Sequence, residues 1–318
     1  MNLKKYTLIF SALFLFLNVH AQENTNTNKF RQLGQELPTP NVYRTASGAP
    51  GHMYWQQKAD YKMKITLDDE NQKIFGEETI TYHNNSPDAL SYLWLQLDQN
   101  MRAKDSDTYK IRTNELDDKV SSRQLKRLSN TFDGGFKIDH VKDANGKKLP
   151  HTINKTMMRI DLPKALKKGE SFSFSIKWWY NINDRMKIGG RSGLEYFEEE
   201  DNYLYTIAQY FPRMCVYNDV EGWQNKQFLG RGEFTLTFGD YEVDITAPAD
   251  HYVSATGTLQ NPKAVLSKKE MNRLEEAKKA FEQPVFIVTE EEAIANEKTN
   301  LCTQKKGIHS GKCILLKR

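Results

Sequence analysis

At 318 residues the chain is long enough for one large domain or two ordinary ones. Its 45 basic and 41 acidic residues are well mixed and leave a net charge of +4, which excludes the clustered lysine and arginine footprint of a nucleic-acid binder. Three cysteines, Cys215, Cys302 and Cys313, are too few for a disulfide framework in a chain this long. Stability must therefore come from burial, for which 16 Phe, 15 Tyr and 5 Trp supply the large side chains.

Residues 1–21 read as a signal peptide. Lys4 and Lys5 form a short positive region, Tyr6 to Leu17 is nearly unbroken apolar, and Val19, His20 and Ala21 offer a small-residue cleavage site. The apolar run is too short to cross a bilayer comfortably. We expect an exported protein, periplasmic or extracellular, that starts near Gln22 and has no membrane partner once the signal is cleaved. Residues 22–50, with Pro38, Pro40, Gly48 and Pro50, read as a linker or strap without a core of its own.

Residues 51–262 read as β. In "YKMKITLDDENQKIFGEETITYHN", Tyr61, Met63, Ile65 and Leu67 alternate with polar residues, "DDENQ" supplies a turn, and Thr79 to Tyr82 returns as the second arm of a hairpin. "SFSFSIKWWY" puts Phe172, Phe174, Ile176, Trp178 and Tyr180 on one face. Asn145-Gly146 predicts a tight type I′ turn. "GEFTLTFGDYEVDITAP" predicts two strands hinged at Gly239-Asp240. Residues 263–300 then turn helical: Ser267 with Glu270 is a capping-box pattern, and Met271, Leu274 and Phe281 give a thin apolar stripe that predicts a surface helix. A short buried strand, Val285 to Val288, precedes an acidic helical turn. Residues 301–318 carry no period of either kind.

A search for chemistry finds little. His83 and His140 lie in or beside strands, where a hydrogen-bonded structural role is the ordinary one. There is no H-E-x-x-H, and Cys302, His309 and Cys313 read as a fortuitous grouping rather than a zinc site. "GGRSGLE" is not a nucleophile elbow. "GIHSGK" falls short of a P-loop. Carboxylates abound, as in "EEED" at 198–201, but nothing in the sequence converges a pair for acid–base work.

Four stretches change this picture: "LWLQLDQN" (93–100), "MRIDLPKALKKGE" (158–170), "GGRSGLE" (189–195) and the long block from 203 to 262 that contains "IAQYFPRMCVYNDVEGWQ". In order and spacing they resemble the N-terminal domain of the aminopeptidase N and leukotriene hydrolase family of zinc peptidases, most of all its secreted bacterial members. The resemblance runs from about Pro50 to Thr299. It implies a mainly β, saddle-shaped domain of antiparallel and mixed sheet, with a short helical segment near its C-terminus, that forms one wall of the cleft of a thermolysin-like catalytic domain. It further implies that Gln209 offers its amide carbonyl to a substrate ammonium, with Tyr210 and Phe211 bordering the side-chain pocket and Pro212 ending the strand at the cleft edge. The plainer alternative is a Gln209 that simply faces solvent from a strand. Arg213 would hold an acidic neighbour such as Asp219.

The chain departs from the family in lacking both H-E-x-x-H and G-x-M-E-N, so no catalytic and no metal-binding residue is assigned to it. Zinc is a cofactor of full-length relatives, and a peptide substrate would bind only together with a catalytic domain. Where relatives continue into a further strand, this text changes character near Thr299, as a shift of reading frame would make it. The rival reading is a stand-alone secreted β module that binds protein or carbohydrate. An intact hydrolase would need a catalytic constellation that the sequence does not show.

Overall fold

The computed structural model describes residues 40–111, 119–122, 131–230, 232, 234–248 and 251–295, and the backbone of 311–317. The segment read as a signal peptide, most of that read as a strap and the first half of the aperiodic tail lie outside these residues. The chain divides into two units, Met1–Trp55 and Gln56–Arg318. In the first, the Asn41 side chain accepts from the backbone N–H groups of Tyr43 and Arg44, at 2.8 and 2.9 Å, and so closes an Asx turn.

The second unit is mainly β. In chain order its strands are β1 (Lys58–Asp68), β2 (Lys73–His83), β3 (Leu90–Gln96), β4 (Lys137–Asp143), β5 (His151–Asn154), β6 (Met157–Leu166) and β7 (Ser171–Asn181). There follow β8 (Gly193–Phe197), β9 (Asn202–Thr206), β10 (Arg213–Met214), β11 (Tyr217–Asn218), β12 (Gly222–Trp223), β13 (Tyr241–Pro248), β14 (Thr258–Leu259) and β15 (Gly311–Lys317). A seven-stranded sheet runs β14-β15-β13-β1-β2-β7-β4, and a four-stranded sheet runs β10-β3-β6-β5. β8–β9 and β11–β12 are separate hairpins. The large sheet is mixed, because β13 lies parallel to β1 while its other pairs are antiparallel.

Alternation dictates the burial. Tyr61, Met63 and Ile65 of β1 point inward while Lys62 and Lys64 face solvent, and Phe174, Ile176, Trp178 and Tyr180 do the same on β7. These side chains share one core with Leu93 and Leu95 of β3 and Met158 and Ile160 of β6. Each fully buried aliphatic or aromatic group contributes about 1.5–3 kcal/mol. Trp178 needs room to lie flat on β2, and Gly76 provides it: a Cβ there would sit 2.3 Å from the indole.

Four local expectations differ from the structure. The turn at Asn145-Gly146 is not type I′, because only Gly146 has a positive φ, 79°. Asp143 instead accepts from Asn145 and Lys147 N–H groups through its carboxylate, which builds a three-residue loop ending in a left-handed glycine. Residues 234–238 make only isolated bridges, Cys215 with Leu236 and Lys58 with Phe238, and of the two strands expected there only β13 forms. Val285 to Val288 is no strand and Phe286 is exposed. Part of the tail, in contrast, is one: β15 pairs antiparallel with β13 and β14. Its "CILL" run defeats a period-two reading. The helix Lys268–Ala277 carries the expected capping box of Ser267 and Glu270 and buries no residue fully.

Candidate functional site

The run expected to be one strand ending at Pro212 is two short pieces with a bent loop between them. β9 stops at Thr206, residues 207–212 turn, and β10 begins at Arg213. Pro212 thus precedes a strand rather than closing one, and its missing N–H falls where no ladder bond is needed.

Side chains from "LDQNMR" hold this loop. Gln99, 2% exposed, donates its amide to two successive carbonyls, Ala208 at 3.1 Å and Gln209 at 3.0 Å. The Arg102 guanidinium, also buried, donates to the Gln99 carbonyl at 3.0 Å and so fixes which way the amide points. Trp178 Nε1 donates to the Tyr210 carbonyl at 3.1 Å, and the Ala208 N–H donates to Ser192 Oγ at 3.1 Å. Three consecutive carbonyls are therefore held by side chains of the core. The conformation they impose is strained: Gln209 sits at φ 54°, in the left-handed region that a non-glycine residue enters at a cost of about 1–2 kcal/mol. Its side-chain amide has no hydrogen-bond partner among the described residues.

The far side of the loop is anchored ionically. Arg213 pairs with Asp98 rather than with Asp219, at 2.6 Å, and both are largely buried. Burial pushes the Asp98 carboxyl up, against the pull of Arg213. The Met214 N–H donates to the Tyr61 hydroxyl at 2.9 Å.

Beside the loop lies a cavity of about 900 Å³. Its floor is the inward face of the large sheet, with Met63 and Ile65 of β1 and Val243 and Ile245 of β13. Tyr210 and Phe211 form part of one wall, while Gln209, at the turn before them, is not among the lining residues. Phe211 meets Tyr61 edge-on at 5.5 Å and Tyr210 at 5.1 Å, and Tyr61 stacks on Tyr241 at 4.8 Å. Burial pushes the Tyr210 phenol up to about 12, with the Glu78 carboxyl and Tyr241 adding to it.

Glu78 is a residue that sequence reading passed over. It occupies an inward position of β2, is 1% exposed, and neither carboxylate oxygen has a hydrogen-bond partner among the described residues. Burial drives its carboxyl well above the ordinary range. The signal was present in the alternation: with Ile80 and Tyr82 inward, Glu78 must be inward too.

Among the described residues no group of three or more His, Cys, Asp or Glu stands where it could hold a metal ion, so the donor set that zinc requires is not met there. No described helix is long and apolar enough to cross a membrane.

Neither a protein-family model nor a curated protein sequence matches the chain. Among solved structures it is similar to an M1 zinc metallopeptidase from Deinococcus radiodurans. A point mutant of that enzyme aligns at 13% identity and a TM-score of 0.35, over 67% of this chain and 37% of that one. The enzyme without the mutation aligns at 13% identity and a TM-score of 0.34, over 66% and 37%. The mutant with a bound Tyr-Ser-Ala substrate aligns at 14% identity and a TM-score of 0.34, over 64% and 36%. The chain thus spans little more than a third of the length of these structures.

Proposed function

We propose that this chain is the N-terminal, cleft-wall portion of an exported zinc aminopeptidase, and that it has no peptidase activity by itself. The motif block at 203–262 supports the family reading. The observation that carries the site is the elbow at Gln209. A neutral amide, unpartnered among the described residues, stands on strained backbone whose flanking carbonyls are clamped by Gln99 and Trp178. Strain of this kind persists only where the surroundings over-determine it, and rigid presentation of one polar group is what a substrate amine needs. In this reading zinc and its ligands belong to a catalytic domain, and peptide binds only where the two domains meet.

A domain graft tests the proposal. This domain would replace the matching domain of an active two-domain relative, and hydrolysis of aminoacyl anilides would be followed. Gln209→Ala should lower kcat/KM by about ten- to a hundredfold, the loss expected for one charge-assisted hydrogen bond. A graft that turns over equally well with and without Gln209 would remove the assignment.

A further inference from the structure

We propose that the cavity floored by β1 and β13 binds a primary amine with an aromatic or aliphatic body, and that the Glu78 carboxylate pairs with its ammonium group. This site goes beyond the peptidase reading and does not depend on it.

Among the described residues nothing in the fold pairs with the carboxyl at this position. The other inward residues of β2 are Ile74, Gly76, Ile80 and Tyr82, none of them charged. An unpartnered polar group in such surroundings costs stability, and an unpaired charge costs far more. A group kept under that penalty invites a partner from outside the chain.

The sheet register says where the partner would come from. Glu78 lies directly opposite Met63 on β1, and Met63 lies opposite Val243 on β13, so the three form one cross-strand row. Met63 and Val243 line the cavity. In the next row, Ile65 and Ile245 line it as well, opposite Gly76. Glu78 is therefore the first residue beyond the cavity floor. Tyr210, which lines the wall, is near enough for the Glu78 charge to raise its phenol. Glu78 is buried and does not itself line the cavity, so pairing with a ligand requires the Met63 side chain opposite it to move aside.

The lining selects the sign of the ligand. Among the described residues its ionisable groups are Glu200, Glu290 and His251 besides the phenols of Tyr203, Tyr205, Tyr210, Tyr241 and Tyr252, with no lysine or arginine. Aromatic faces and carboxylates both attract a cation and repel an anion. The aliphatic floor takes the apolar body.

Binding has a defined proton balance. Burial favours the protonated form of the free carboxyl, so an ammonium that pairs with Glu78 drives its proton off to solvent. His251 also lines the cavity, and its contribution must be separated from that of Glu78.

The test is calorimetric titration of the full chain at pH 7 with 2-phenylethylamine and with its neutral analogue 2-phenylethanol, in phosphate and in Tris. The amine should bind about tenfold or more tightly than the alcohol. The difference in heat between the two buffers should report release of about one proton per amine bound. That release should persist in His251→Gln and vanish in Glu78→Gln, which should also lose about tenfold in amine affinity with alcohol affinity unchanged. Equal affinity for amine and alcohol, or amine binding without proton release in the wild-type chain, overturns the proposal whether or not Glu78→Gln folds. Loss of both quantities in Gln209→Ala would move the amine to the elbow and overturn the Glu78 site.

Discussion

Glu78 shows how one residue sets a pH dependence for the whole domain. Its native carboxyl keeps its proton well above the ordinary 4.5 because burial disfavours the charge. Between the unfolded value and the native one, the native state binds more protons than the unfolded state, so stability falls as pH rises through that window. Replacing Glu78 by leucine should remove this decline and stabilise the chain by about 1–3 kcal/mol at pH 7, the range for an unpaired buried polar group. The gain should shrink toward pH 4.5. Urea unfolding of both chains between pH 4.5 and 8 checks the prediction, and parallel curves would mean that Glu78 is paired in solution. The inward position of Glu78 could be read from alternation alone. Its missing partner could not, because that depends on Met63, Ile176 and the loop at 210, which sequence places far apart.

At the scale of elements, the loop 207–212 is shaped by another segment, the "LDQNMR" that follows β3. Gln99 spans two carbonyls of the loop, and Arg102 orients Gln99. Gln99→Ala should leave the half-buried Ala208 and Gln209 carbonyls without their side-chain donor and cost about 1–3 kcal/mol. It should also speed amide exchange in residues 207–211 and alter the emission of Trp178, whose indole N–H is bonded to the same loop. Unchanged exchange in the loop would show that Trp178 and Ser192 suffice to hold it. The strands that alternate cleanly, β1, β2 and β7, were legible in the sequence because one face of each is wet. The bend at Gln209 was not, since its cause lies about a hundred residues upstream in the chain. Residues 234–238 alternate as a strand should, yet they find no continuous partner, and Phe238 is left 73% exposed. β15 fails the opposite way, pairing fully with β13 from a text without period.

For the molecule as a whole, the fold class follows from composition and alternation, whereas the cavity does not. Its floor needs β13 to lie parallel to β1, a pairing between segments some 180 residues apart that no local pattern announces. In the proposed function this domain serves as one wall of a peptidase cleft whose chemistry resides in another domain. The most direct test is to read the coding DNA from about codon 290 onward in all three frames. If the proposal is right, one frame continues from the family-like text into G-x-M-E-N and then H-E-x-x-H. Three frames without those motifs would contradict it and leave a β domain whose ligand is the question.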